Sequence, residues 1–162
     1  MTIELPILGL LKERPMHGYD LKQRLDAILG FAWHPSYGSL YPMLRKLEER
    51  GLITKSSVSK GLGPQKQMYT LTPQGEMGLR ELLLSETSSD RLHLKILFFD
   101  QLTAHERKDI LIRARQQRAK TLEKLETERA KRTESLSKYQ RALLDHGLEN
   151  LRREIAWLKD LM

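Results

Sequence analysis

The chain contains no cysteine, which excludes disulfides, thiolate metal sites and thiol redox switches. No run approaches the roughly 20 apolar residues needed to cross a bilayer. The N-terminus lacks the basic segment and long apolar stretch of a secretory signal, so a cytoplasmic protein is expected. No Gly-rich phosphate loop occurs: Gly61-Leu62-Gly63-Pro64-Gln65-Lys66 has neither the spacing nor a following hydroxyl. The five histidines, His17, His34, His93, His105 and His146, are scattered, and no two stand four residues apart as a helical metal pair would. No catalytic residues, no metal and no cofactor are therefore expected.

Acidic residues are also in deficit. Lys and Arg number 28 against 21 Asp and Glu, giving +7 over 162 residues, a balance that favours a polyanionic partner. That length accommodates one DNA-binding domain of ordinary size and a helical appendage.

The most informative stretch runs from Tyr37 to Leu71. In Pro35 to Arg50 the residues Leu40, Met43, Leu44 and Leu47 recur at helical spacing, so that face is buried. Gly38, Pro42 and Arg45 fall opposite, with Ser39 and Lys46 on one flank and Tyr41 on the other. The outward face is slim and cationic, as entry into a DNA major groove requires. Taken alone it reads first as a solvated amphipathic helix; the hairpin after it shifts the reading toward DNA, with a turn whose lysines serve only solubility as the alternative. Gly51 stands where a left-handed cap would end the helix, and Leu52-Ile53-Thr54-Lys55 reads as a strand. The chain turns near Lys60 to Pro64 and returns as Lys66 to Leu71. Thr72-Pro73 then opens another helix, with Leu79, Leu82 and Leu83 on its inner face. Helix, hairpin, helix is the order of a winged helix, and Lys55, Lys60 and Lys66 around the hairpin would meet phosphates beside the groove. Upstream, Glu4 to Lys12 forms a compact apolar helix broken at Arg14-Pro15, and His17 to Leu29 repeats its leucines with a helical period.

Leu8-Gly9-Leu10-Leu11, His17-Gly18-Tyr19-Asp20-Leu21, Gly38-Ser39-Leu40-Tyr41-Pro42, Gly51-Leu52-Ile53 and Tyr69-Thr70-Leu71-Thr72-Pro73-Gln74-Gly75 occur in order along the first half of the chain. In content and spacing they resemble the signature of the PadR family of bacterial transcriptional regulators. The resemblance implies a dimeric winged helix-turn-helix repressor that binds an inverted-repeat operator and, in many members, leaves it when a small, often aromatic, effector binds. The return strand Gln65-Lys66-Gln67-Met68-Tyr69 is less basic and less aromatic than in many relatives, which bears on the wing contact and not on the fold.

The second half is different in texture. Glu86 to Asp90 reads as a polar linker, and Leu92, Leu94, Ile96, Leu97, Phe98 and Phe99 as a short apolar helix. Thr103 with Glu106 makes a capping box. It opens a charged segment from Ala104 to about Leu144 with no Gly or Pro, expected as one helix or two nearly continuous ones. Leu122, Leu125 and Leu136, and after Gly147 the stripe Leu148, Leu151, Ile155, Leu158, need cover, either from the chain's own long helix or from a second subunit. The resemblance makes this region a dimerisation domain. The expected fold is mainly α with a small two-stranded wing: residues 1–84 a winged helix-turn-helix, residues 85–162 a helical dimerisation domain with a candidate effector role.

Expected DNA contacts are Tyr19, Ser36, Tyr37, Ser39, Tyr41, Arg45, Lys46, Lys55, Lys60 and Lys66, with Arg45 the foremost base reader and the hydroxyls of Tyr19 and Tyr41 reaching phosphate. Tyr19 has an alternative role in packing against the reading helix. Candidate effector contacts are Trp33, His34 and Trp157, aromatic groups for which core packing is the competing role. Expected partners are double-stranded DNA and a second copy of the chain, with no membrane. A winged-helix scaffold serving as a protein-interaction adaptor through its C-terminal helices is the alternative from another class, and a small-molecule-binding protein independent of DNA the third.

Overall fold

The computed structural model describes residues 3–30, 35–58, 66–85, 89–132 and 136–162. They divide into two compact units, Met1–Glu86 with Leu94–Phe98, and Thr87–His93 with Phe99–Met162.

The first unit begins with α1 (Glu4–Glu13), in which every residue from Leu5 to Leu11 is buried. A helix apolar on all sides lies inside a domain, and α1 packs on α2 (Gly18–Leu29) and α4 (Pro73–Leu84). Its Gly9 lies so close to Phe98 that a Cβ there would sit 2.4 Å from the ring. Lys95 is buried near this point and donates from Nζ to Ser85 O at 2.5 Å, which satisfies a charge removed from water.

Helix α3 (Tyr37–Glu49) buries Leu40, Leu44 and Leu47, while Met43 is only half-buried. Gly51 comes next with φ +70, the left-handed conformation that a glycine adopts without strain. Strands β2 (Ile53–Val58) and β3 (Lys66–Leu71) pair antiparallel from Ile53↔Leu71 to Val58↔Lys66. The expected two-stranded wing has a third member: β1 (Met16–His17) pairs with the other edge of β3, giving the order β1-β3-β2. Thr72 caps α4, its Oγ1 accepting from Gly75 N at 2.9 Å while donating to Gly51 O at 2.7 Å.

In the second unit, α5 (Ser89–Ile96) contributes its first residues, a short 3-10 turn spans Phe99–Gln101, and two long helices complete the chain. Thr103 and Glu106 bond reciprocally as the capping box of α6 (Ala104–Arg132). Ser137 and Gln140 repeat the device for α7 (Lys138–Asp160). The charged segment is thus two helices, and the apolar run expected through Phe99 ends its α-helix at Ile96. Gly147, expected as a break before the terminal helix, lies inside α7. Helices α6 and α7 pack antiparallel, linked by Arg118 with Glu154 at 2.8 Å, Arg152 with Glu126 at 2.5 Å and Arg129 with Asp145 at 2.9 Å. Arg129, which interrupts the leucine seam of α6, is therefore accommodated by an acid on the facing helix. Among the described residues no helix is long and apolar enough to cross a membrane.

Candidate nucleic-acid interface

Ser36 sets the start of α3: its Oγ accepts from Ser39 N at 3.2 Å, and Ser39 Oγ donates back to Ser36 O at 2.9 Å. Ser36 is thereby committed to capping, and the Ser39 oxygen keeps only its acceptor capacity for a partner. Pro42 sits inside the helix and has no N–H to give the Gly38 carbonyl one turn earlier. Both residues are exposed and slim, so the backbone itself is accessible along this face. Arg45 and Lys46 are exposed at the next turn and have no ion-pair partner among the described residues. Here the cationic outward face read from the helical period is present, opposite the buried leucines.

Two tyrosines of α3 flank that face, and a third, Tyr19, stands on α2. Tyr37 and Tyr41, one turn apart, stack with centroids 6.0 Å apart and planes at 19°. Each is close to half exposed. Tyr19, more exposed still, accepts from Gln23 Nε2 at 3.0 Å, which leaves its phenolic proton to donate. The Lys22 ammonium stands 5.5 Å from the Tyr37 ring centroid and pairs with Asp26. Neither Lys22 nor Gln23 is among the contacts expected from the sequence. The four-residue spacing that couples them to Asp26 and Tyr19 is in the sequence, but the meeting of Lys22 with Tyr37 comes from helix packing.

On the wing, Lys55 of β2 lies 3.5 Å from Glu48, so part of its charge is already balanced. Gln67 joins all three strands: His17 Nδ1 donates to Gln67 O at 3.1 Å, and Gln67 Nε2 donates to Ser57 Oγ at 3.2 Å. Tyr69 is buried, and its phenol is pushed above the ordinary value of 10.0 by desolvation first, then by Tyr41 and Glu48. Lys66 is placed only through its backbone, in register with Val58. Lys60, Trp33 and His34 lie outside the described residues.

The remaining expected positions belong to the second unit. Trp157 stacks on His93 at 5.4 Å between centroids. Leu148 and Leu158 are buried within the chain itself, while Leu122, Leu125, Leu136, Leu151 and Ile155 are half-buried and keep part of their surface exposed. The burial has a geometric reason: α7 turns back on α6, and the ion pairs from Arg118 to Glu154 and from Arg129 to Asp145 orient the stripe assigned to dimerisation inward. Tyr139 and Leu143 stand out instead, 82% and 73% exposed. A cleft of about 320 Å³ between α6 and α7 is lined by Glu126, Arg129, Ala130, Leu136, Arg141 and Arg152, and Trp157 is not among the residues lining it. Among the described residues no cluster of His, Asp and Glu is arranged to hold a metal ion.

The chain is similar to known proteins along its whole length. The family model described as the transcriptional regulator PadR-like family matches residues 7–81. The negative transcriptional regulator PadR of Bacillus subtilis (strain 168) is 29% identical over 174 aligned positions, spanning 99% of this chain and 96% of that protein. Among solved structures, smu.1604c from Streptococcus mutans UA159 is 26% identical with a TM-score of 0.50, covering 99% of this chain and 98% of that one. The crystal structure of Bacillus subtilis PadR in complex with operator DNA is 28% identical with a TM-score of 0.49, covering 99% and 97%.

Proposed function

Since this chain belongs to the PadR-like family of transcriptional regulators, we propose that it acts as a dimeric repressor that reads a pseudo-palindromic operator through α3 and holds the flanking backbone through its wing. The family consists of regulators and not enzymes. The observation that carries the reading is the outward face of α3: Gly38 and Pro42 keep it slim, Arg45 and Lys46 present free cations, and the leucines behind it are buried. Arg at such a position reads base edges, and Lys meets phosphate.

Residues 1–84 are the DNA-binding part in this reading and residues 85–162 the dimerising part. Dimerisation is supported by Tyr139 and Leu143, large apolar side chains left in water on α7. Two copies related by a two-fold axis place their reading helices about 34 Å apart on one face of the duplex. Repression is supported by the full-length relative, which is a negative regulator. Release by a small effector rests on the family resemblance, with Trp157, against His93, the described aromatic residue open to such a ligand.

The test is binding of the purified protein to a fluorescent fragment of its own upstream DNA, with random DNA of equal length as competitor, across a salt series. Competitor-resistant binding that weakens steeply with salt is expected. Binding no better than to random DNA would transfer the function to the adaptor class.

A further inference from the structure

We propose that a clasp between α2 and α3, made by Gly18 against Tyr41 and by Lys22 over Tyr37, sets the angle at which the reading helix is held. These are positioning residues, and the inference rests on the proposed DNA-binding function.

The geometry has two rungs. Gly18 and Lys22 are one turn apart on α2, and Tyr37 and Tyr41 one turn apart on α3. On the first rung, a Cβ at Gly18 would lie 3.0 Å from Tyr41 Oη and 3.1 Å from its Cε1, so any side chain there makes the phenol give way by a few tenths of an ångström. On the second, the Lys22 ammonium lies 5.5 Å from the Tyr37 centroid, held in place by Asp26 on its own helix. The Tyr37–Tyr41 stack joins the rungs along α3.

The leucines at 40, 44 and 47 anchor only the inner face of α3. A helix anchored along one stripe can still roll about that stripe, and Gly38, Pro42 and Arg45 would roll with it. Rings braced against α2 oppose this motion on the outer side, where no apolar core reaches. In this arrangement the aromatic rings matter and the hydroxyls do not, which separates a positioning role from the phosphate contact expected for Tyr41.

The experiment uses the full chain and compares Tyr37→Phe, Tyr41→Phe, Tyr37→Leu, Lys22→Met, Lys22→Arg and Gly18→Ala. Affinity is measured on the specific fragment and on random DNA, with thermal unfolding to confirm folding. The Phe variants and Lys22→Arg are expected to keep the affinity for each DNA, as well as the ratio of the two, within about twofold, whereas loss of a hydroxyl–phosphate contact would weaken both alike. Tyr37→Leu, Lys22→Met and Gly18→Ala are expected to lower the ratio of specific to random affinity about tenfold, the order of one lost base contact. Tyr37 is half exposed, so its Leu variant folds even where Gly18→Ala does not. Phe variants as damaging as the Leu variant would make the hydroxyls direct contacts and overturn the clasp, as would an unchanged ratio in every variant.

A second measurement needs no DNA. The ring-current shift of the Lys22 ε protons in the free protein is expected to survive Tyr37→Phe and vanish in Tyr37→Leu. Its absence from the wild type would end the proposal while leaving the DNA-binding function intact. A wild type that shows the shift but does not prefer specific DNA would overturn that function and the proposed role with it.

Discussion

Arg118 Nε donates to Glu154 Oε1 across 2.8 Å, joining α6 to α7 through a guanidinium that is only 3% exposed. The same group donates through Nη1 to Ala114 O at 3.4 Å. Removing one partner of a buried pair leaves the other charge without compensation, a loss of about 3 to 5 kcal/mol when both are fully buried. Glu154 retains 22% exposure, so Arg118→Ala is expected to destabilise by roughly 2 to 3 kcal/mol. The double variant Arg118→Leu with Glu154→Leu is expected to lose less than the single one. Urea unfolding of the two gives the comparison, and a double variant worse than the single would show that the pair stabilises beyond mere compensation.

Much of the first unit is legible in residue order. Leu40, Leu44 and Leu47 at helical period, Ser36 before them and a glycine after them specify α3 locally, and Gly51 takes the positive φ that its position requires. Strand β1 is not legible. It is two residues long, and its pairing of Met16 with Tyr69 spans the whole of α2, α3 and β2, a distance at which no local pattern speaks. The clasp of Lys22 on Tyr37 is hidden for the same reason. In the second unit the apolar stripe of α7 announces its need for cover, but that α6 covers it follows from how the two helices pack. Charges on α6 that interrupt the leucine seam are the partners of acids on α7.

Gly147 suggests a break because a glycine so often ends a helix, whereas packing against α6 carries α7 straight through it. A Cβ at this position would meet nothing within 4 Å. Gly147→Ala is therefore expected to stabilise the protein by roughly 0.5 to 1 kcal/mol, the helix-interior difference between the two residues. A higher melting temperature with unchanged helical circular dichroism is the expected observation. A loss of stability would mean that a partner approaches α7 closely at this point.

Tyr69 makes stability depend on alkaline pH. Its folded-state value is raised above 10.0 by burial, then by Tyr41 and Glu48, so the unfolded chain releases this proton first as pH rises. Its contribution is fully present below pH 10.0 and is lost as pH climbs through the raised folded value. Tyr69→Phe is expected to flatten that part of the profile. Urea midpoints for both proteins at about pH 8 and about pH 10.5, on either side of the ordinary phenol value, measure the effect, and parallel falls in the two would remove Tyr69 from the account.

Arg45 and Lys46 are neighbours in sequence, both exposed and both without an ion-pair partner among the described residues, yet they occupy different sides of α3. Arg45 shares the slim face with Gly38 and Pro42, and a bidentate guanidinium at such a face discriminates between bases by about 1 to 3 kcal/mol. Lys46, on the flank, carries a point charge suited to a phosphate and blind to sequence. Arg45→Ala is expected to cost about 1 to 3 kcal/mol on the specific fragment and much less on random DNA. Lys46→Ala is expected to weaken both alike and to reduce the slope of log affinity against log salt by about one. If the two variants lose specific and random binding in the same proportion, the division of labour around the helix is wrong and the face turned toward the bases is another one.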